Sequence, residues 1–159
     1  MRIYSLYCDR LMYEIVAPEG PAIELEQADR EPRSFDKALF LQVGVERGDG
    51  GAVKTASDRV HRICRNVASQ LVVINAFAGL ATDALRAGPE EALIVTSNLQ
   101  SLLLTRGYSV HAMPFGWLKR VELAAEAGLW EQRGEYVRPA QKWGPQWSHR
   151  LPADFEEAS

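Results

Sequence analysis

Two apolar, β-prone runs open the chain, and a short polar stretch separates them. The runs are Met1–Tyr7 and Leu11–Ala17, and the stretch between them is Cys8-Asp9-Arg10. Strand-like runs on either side of a few polar residues are typical of a hairpin, which is what this pattern predicts. The next segment, Pro18–Pro32, is polar and contains three prolines, so we expect a connecting loop there.

The next part of the chain changes from strand-like to helical periodicity. Lys37–Arg47 predicts a third strand, long enough for the centre of a sheet, which ends at the glycine-rich residues 48–51. Ala52–Gln70 predicts a helix, because apolar residues recur there at steps of three and four. His61 and Cys64 lie three residues apart on this helix, but no further ligands accompany them, so we expect no metal site.

The second half of the chain predicts one more helix among four strands. Leu71–Ala76 is a short apolar strand, and Pro89–Thr105 is a helix whose proline suits its first turn. The remaining predicted strands are Tyr108–Met113, Trp117–Ala125 and Glu135–Val137. The order β-β-β-α-β-α-β-β-β predicts an α/β (α+β) fold, in which residues 1–139 form a single domain with a mixed β-sheet and two main helices. We expect residues 140–159 to be a tail or a linker.

Composition narrows the choice of protein class. The chain has 159 residues, 47% of them hydrophobic, which suits one soluble globular domain. With two cysteines and no long apolar run, we expect a cytoplasmic protein with no membrane span. A formal net charge of −3 argues against a protein that wraps long stretches of nucleic acid. This net charge is compatible with a protein that binds a short nucleic-acid end through a few cationic side chains.

The catalytic inventory of the sequence is small. Gly48-Asp49-Gly50-Gly51 lacks the Lys-Ser/Thr of a phosphate-binding loop and the full dinucleotide pattern, so nucleotide hydrolysis and nicotinamide chemistry are excluded. The sequence contains no Gly-X-Ser-X-Gly nucleophile elbow, and neither cysteine lies in a nucleophile signature. We therefore expect no cofactor, and an easy reaction or one that borrows a catalytic group from its substrate. Hydrolysis of an activated ester fits this limit.

Two irregular segments are the best candidates for a site. Asn75–Leu80 breaks the end of an apolar strand, and Ala112–Arg120 contains Pro114-Phe115-Gly116 followed by Lys119. Proline and glycine shape the backbone at such breaks, which exposes N–H groups that can stabilise an oxyanion. These features predict a small pocket between two strand ends, with Lys119 as its one nearby cation.

The chain resembles the N-terminal editing domain of archaeal threonyl-tRNA synthetase, which has the D-aminoacyl-tRNA deacylase fold. The resemblance covers roughly residues 1–139. It is carried by Met1-Arg2-Ile3, Asp9, Tyr13-Glu14, Val43-Gly44-Val45-Glu46, Phe77-Ala78 and, above all, Pro114-Phe115-Gly116 followed by Lys119.

The resemblance implies that the domain removes serine mischarged onto tRNA(Thr), with water activated with help from the terminal ribose hydroxyl. The implied partner is the tRNA(Thr) 3′ end carrying serine. A homodimer, and fusion to or action with synthetase domains, are also implied. By position, Lys119 and Glu131 are the implied catalytic residues, although Gln132 takes the place of Glu131 if the alignment shifts by one residue. The implied substrate-binding residues are Val45, Ala76, Ala78, Gly79, Phe115, Gly116 and Leu118.

Two residues depart from the pattern of the family. Gly79 stands where the family typically has His, and Leu118 stands where it typically has Tyr. Without these two side chains, the pocket lacks a ring and a hydroxyl. Their loss affects the prediction of which amino acid is removed more than the prediction of deacylation. Two other functions therefore stay open: a D-aminoacyl-tRNA deacylase, and a non-catalytic module of the same fold that binds a tRNA end or a protein.

Overall fold

The structure, a computed structural model of the chain, describes residues 1–139. These residues form a mixed six-stranded sheet with two helices, which confirms the predicted fold class. The predicted tail or linker, 140–159, lies outside the described residues. The elements are β1 (Arg2–Pro18), β2 (Arg33–Gly44), α1 (Val53–Val67), β3 (Leu71–Ala76), α2 (Pro89–Thr105), β4 (Ser109–Ala112), β5 (Trp117–Ala125) and β6 (Gln132–Tyr136).

The strands are arranged in the order β4-β3-β2-β1-β5, and β6 pairs with β1 as well. Strands β2, β3 and β4 run parallel, because α1 and α2 return the chain to the same end of the sheet between them. The long β1 runs antiparallel to β2, β5 and β6. Neither described helix is long and apolar enough to cross a membrane.

The predicted opening hairpin is wrong, since β1 continues as one strand through Cys8-Asp9-Arg10. Asp9 and Lys37 face each other at the one step missing from the β1–β2 ladder, and Lys37 has a φ of +53°. The pairing with β5 shifts by one residue at the same place. This bulge inverts the inward–outward alternation, so that both Cys8 and Leu11 are buried in the same cluster. The inverted alternation gives β1 the appearance of two strands in the sequence.

Several predicted element ends also move. The third predicted strand, Lys37–Arg47, corresponds to β2, which begins four residues earlier, at Arg33. This strand ends at Gly44, where a Cβ atom would lie 2.7 Å from the Ala81 nitrogen. Helix α1 ends before the predicted Gln70, because Ala68 adopts a left-handed conformation with φ +56°. The last strand is Gln132–Tyr136 rather than Glu135–Val137, and it pairs with the start of β1.

The sheet buries side chains on both faces. One core lies between the sheet and the two helices and includes Leu39, Leu41, Val60, Ile63, Leu99 and Leu103. The other lies on the opposite face, where Leu11, Tyr13, Phe40 and Val73 are almost completely buried. The sheet curves strongly enough that Lys119 on β5, at one end of the strand order, lies within 3.0 Å of Asn75 on β3.

Candidate functional site

A cavity of about 620 Å³ opens where the end of β3 meets the start of β5. Its walls come from β2, the turn after β3, the start of α2 and the segment 115–121. Eight of the nine site residues expected from the sequence line it: Val45, Ala76, Ala78, Gly79, Phe115, Gly116, Leu118 and Lys119. The two irregular segments therefore lie against each other, as the sequence predicts, although the space between them is larger than a small pocket.

Backbone hydrogen bonds hold both irregular segments in place. The Phe77 N–H donates to the Val43 oxygen over 2.8 Å, and the chain then makes a 3₁₀ turn at Ala78–Leu80. Gly116 has a φ of +78°, and its carbonyl accepts from the Glu19 N–H over 2.7 Å. A Cβ atom at Gly116 would lie 2.6 Å from the Ala22 nitrogen. Glycine is therefore required there by both conformation and space.

Lys119 supplies an amine to the cavity in an unusual electrostatic setting. Burial lowers the pKa of Lys119 to about 8, and the nearby Glu19 carboxylate offsets only part of this effect. The Lys119 Nζ donates to Asn75 Oδ1 over 3.0 Å. A substantial share of the lysine is consequently the neutral amine near physiological pH, whereas a solvated lysine is almost entirely charged.

The turn after β3 adds backbone donors to the same cavity. Ala78 and Gly79 both line it. Within residues 1–139, neither of their backbone N–H groups donates to another protein group. Backbone N–H groups without a protein partner are free to donate to a developing oxyanion.

Glu131 is the expected site residue that the structure places elsewhere. It lies in the turn between β5 and β6, where its carbonyl accepts from the Tyr7 N–H over 2.7 Å. Its carboxylate accepts from the Trp130 N–H over 3.2 Å. The alternative, Gln132, begins β6 and donates to the Glu126 carbonyl over 3.1 Å. Neither side chain belongs to the cavity wall.

Twelve residues that line the cavity were not among the expected site residues, and they include Gln42, Asn75, Phe77 and Arg86. Because Arg86 belongs to this set, the expectation of Lys119 as the one nearby cation is wrong. Arg86 Nε donates to the Ala78 carbonyl over 3.0 Å, and its Nη2 pairs with Asp83 over 2.7 Å. Gln42 and Asn75 each stand out in the sequence as an amide within a run of apolar residues. Their pairing became visible only with the strand register.

The two departures from the family pattern have a common structural effect. Phe77 lies over Gly79, since a Cβ atom there would be 3.0 Å from the end of the Phe77 ring. A histidine at this position would therefore displace the ring. Phe77 and Leu118 are each 47% exposed beside the cavity, so its rim is apolar.

Comparison with known proteins identifies the group to which this arrangement belongs. Residues 1–128 match the family described as the archaea-specific editing domain of threonyl-tRNA synthetase. The chain belongs to this family. This confirms the resemblance drawn from the sequence, including the D-aminoacyl-tRNA deacylase-like fold.

Individual relatives of this editing domain agree with the family assignment. The chain is 32% identical over 148 residues to the threonine–tRNA ligase of Thermofilum pendens, covering 91% of this chain and 24% of the relative. It is 27% identical over 130 residues to that of Methanocaldococcus jannaschii, covering 79% of this chain and 20% of the relative. The chain thus spans about a fifth to a quarter of the length of these relatives.

A solved structure supports the fold alone. The c-Myc DNA Unwinding Element Binding Protein superimposes with a TM-score of 0.59 at 11% sequence identity. The match covers 77% of this chain and 91% of that protein.

Proposed function

We propose that this chain is a proofreading aminoacyl-tRNA deacylase that hydrolyses the ester between serine and tRNA(Thr). The observation that carries the proposal is the half-buried Lys119 amine in a cavity built from the two irregular segments. Membership of the synthetase editing-domain family supplies the substrate class. A nucleophilic side chain is unnecessary for this reaction, because an aminoacyl ester is already activated towards water.

Selection between serine and threonine depends on one methyl group. A methyl group changes the binding free energy in a pocket by about 1–3 kcal/mol. The aminoacylation site of a synthetase therefore makes errors that a second, hydrolytic site must remove. In our proposal, the wall that refuses the threonine methyl consists of Val45, Ala78, Phe115 and Leu118, all of which line the cavity. Serine enters because its side chain lacks the extra carbon.

The reaction proceeds by attack of water on the ester carbonyl carbon. The neutral Lys119 amine holds this water and accepts its proton, while the N–H groups of Ala78 and Gly79 stabilise the oxyanion. The carbon–oxygen bond to the ribose then breaks. The departing oxygen takes a proton through the neighbouring ribose hydroxyl, and the Lys119 ammonium replaces that proton. The products are free serine and tRNA with both terminal hydroxyls restored.

A non-catalytic module that binds a tRNA end is the second candidate, and Gly79 and Leu118 favour it, because both lack the functional groups typical of the family. We separate the candidates by incubating the protein with seryl-tRNA(Thr), threonyl-tRNA(Thr) and a D-aminoacyl-tRNA, and following ester loss. Release of serine with threonyl-tRNA(Thr) left largely intact supports our proposal. Loss of the D-aminoacyl ester alone would identify a D-aminoacyl-tRNA deacylase, and loss of no ester would identify the binding module.

The role of the ribose is tested with seryl-tRNA(Thr) whose terminal adenosine lacks one ribose hydroxyl. We expect serine release to slow substantially, because the ribose hydroxyl that passes a proton to the departing oxygen is absent. An unchanged rate with the deoxy substrate would remove the ribose hydroxyl from the mechanism.

We also propose that the chain acts as a homodimer and in association with synthetase domains. Pairing of two copies would cover an exposed edge of the sheet, which natural proteins rarely leave open. Light scattering of the purified protein measures the oligomeric state, and a monomer at micromolar concentration would contradict the dimer.

A further inference from the structure

Three polar side chains from three strands form a continuous hydrogen-bonded chain in the cavity wall. Lys119 Nζ donates to Asn75 Oδ1 over 3.0 Å, and Asn75 Nδ2 donates to Gln42 Oε1 over 2.7 Å. Gln42 and Asn75 face each other in the parallel β2–β3 ladder, and Asn75 is 7% exposed. An amide that is buried and bonded at both ends has little freedom to turn, so it presents its oxygen to the lysine in one orientation.

Charge distinguishes this arrangement from an ordinary ion pair. An amide oxygen accepts a hydrogen bond from the ammonium and from the neutral amine alike, because both carry N–H groups. A carboxylate in the place of Asn75 would favour the ammonium and raise the pKa of Lys119. The charged residues that line the cavity with Lys119 are Glu19 and Arg86. Of these, Glu19 raises the pKa of Lys119 less than burial lowers it.

The hydrogen bond also sets the direction of the amine. One N–H of Lys119 is committed to Asn75, so its remaining hydrogens and, when neutral, its lone pair are directed away from the amide. We propose that Asn75, held by Gln42, is a positioning residue that orients the Lys119 amine towards the substrate ester while acting as an uncharged acceptor. This inference rests on the proposed deacylase function. It concerns two amides to which the family resemblance assigns no role.

The test compares two variants of Asn75 that have nearly its size but opposite electrostatic effects. Asn75→Asp places a negative charge beside the lysine, and Asn75→Leu removes the acceptor. We measure single-turnover serine release from seryl-tRNA(Thr) between pH 6 and 10. In parallel, the pKa of Lys119 is read directly from its ε-carbon NMR signal. Asn75→Asp is expected to raise this pKa by about one unit and slow release about tenfold at pH 7.5. Asn75→Leu is expected to lower the pKa and also to slow release, because the amine loses its orientation.

Gln42→Ala provides a second route to the same conclusion if either Asn75 variant unfolds. This substitution leaves Asn75 in place but removes the acceptor of its Nδ2 hydrogen bond. We therefore expect slower serine release, with a smaller change in the pKa of Lys119 than Asn75→Asp causes. Asn98→Asp is the matched control, since Asn98 is exposed on α2 and the substitution adds the same charge. The control is expected to behave like wild type in both measurements.

The outcomes separate this inference from the proposed function. A pKa of Lys119 that is the same in wild type, Asn75→Asp and Asn75→Leu would overturn the inference. An equal pKa change in Asn98→Asp would do the same. If wild type releases no serine, the proposed function fails. The NMR titration still decides whether Asn75 controls the amine.

Discussion

At the level of single residues, Lys119 is the group on which the proposed chemistry depends. Replacing it with methionine keeps an unbranched side chain that is one atom shorter and removes the amine. We expect Lys119→Met to slow single-turnover serine release by about 100-fold or more, within the range attributed to a positioned proton-transfer group. Thermal unfolding monitors the fold of the variant. A rate equal to that of wild type would remove Lys119 from the mechanism.

The pH dependence of the wild-type reaction follows from the same residue. The pKa of Lys119 is lowered by burial to about 8, with Glu19 acting in the opposite sense. Because our proposal assigns the neutral amine as the acceptor of the water proton, we expect release to rise with pH and to level off above about 8. Rates that fall across this range would assign the charged lysine as the working form.

Ala78 tests the size of the cavity wall. Ala78→Val adds two methyl groups to a residue that lines the cavity but is exposed, so it should change the space for the amino acid more than the stability. We expect slower release of serine with little change in the unfolding midpoint. Ala124→Val is the matched control, because Ala124 is exposed on β5 and lies outside the cavity wall. Equal effects of the two substitutions on release would contradict the assignment of Ala78.

At the level of elements, α1 ends on a residue that does not suit its conformation. Ala68 adopts a φ of +56°, and the following Ser69 N–H donates to the Cys64 carbonyl over 3.0 Å. The left-handed conformation costs a residue with a Cβ atom about 1–2 kcal/mol, and glycine is favoured at this position for that reason. Ala68 is exposed, so its methyl contributes little packing.

We therefore expect Ala68→Gly to increase the free energy of unfolding by about 1 kcal/mol, as measured by urea denaturation. Asn66→Gly serves as the control, because Asn66 is an exposed residue within α1, where glycine weakens a helix. This control should lose stability. A loss of stability in Ala68→Gly as well would show that the conformation of Ala68 is not strained.

The elements also show which parts of the fold the sequence can predict. Helix α2 was predicted from Pro89 to Thr105 with both ends right, because its proline and glycine boundaries are local signals. The bulge at Asp9 and Lys37 depends on pairing between residues 28 apart, so it resembles a turn in the sequence. The same holds for the site. Lys119 lies in a recognisable sequence motif. Its contact with Asn75 depends on the curvature of the sheet, which cannot be predicted from a local sequence pattern.

At the level of the whole molecule, Glu46 joins distant parts of the chain. It is 4% exposed, and its carboxylate accepts from Arg2 Nε over 2.9 Å and from the Tyr136 hydroxyl over 3.1 Å. Burial alone would raise the pKa of Glu46, but the hydrogen bonds from Arg2 and Tyr136, together with the charge of the N-terminal ammonium, outweigh burial and lower the pKa from its ordinary value. Since the folded-state pKa is the lower one, the stabilisation is present above the unfolded value and is lost as the pH falls through the folded value.

We expect Glu46→Gln to lower the free energy of unfolding by about 1–3 kcal/mol at pH 7, because hydrogen bonds to a charged group are lost. The gap between variant and wild type should close as the pH falls through the lowered folded-state pKa of Glu46, which urea denaturation at several pH values measures. Glu24→Gln is the control, since Glu24 is exposed. A gap that stays constant down to pH 3 would show that the charge of Glu46 contributes nothing.

The contact between Lys119 and Asn75 has a consequence for newly made or damaged protein. The amine lies on β5 and its partner on β3, and β1 and β2 separate these strands in the sheet. The two groups can meet only after the chain up to residue 119 has been synthesised and the sheet has bent. Fragments that end before residue 119 lack the amine, so they cannot form this arrangement.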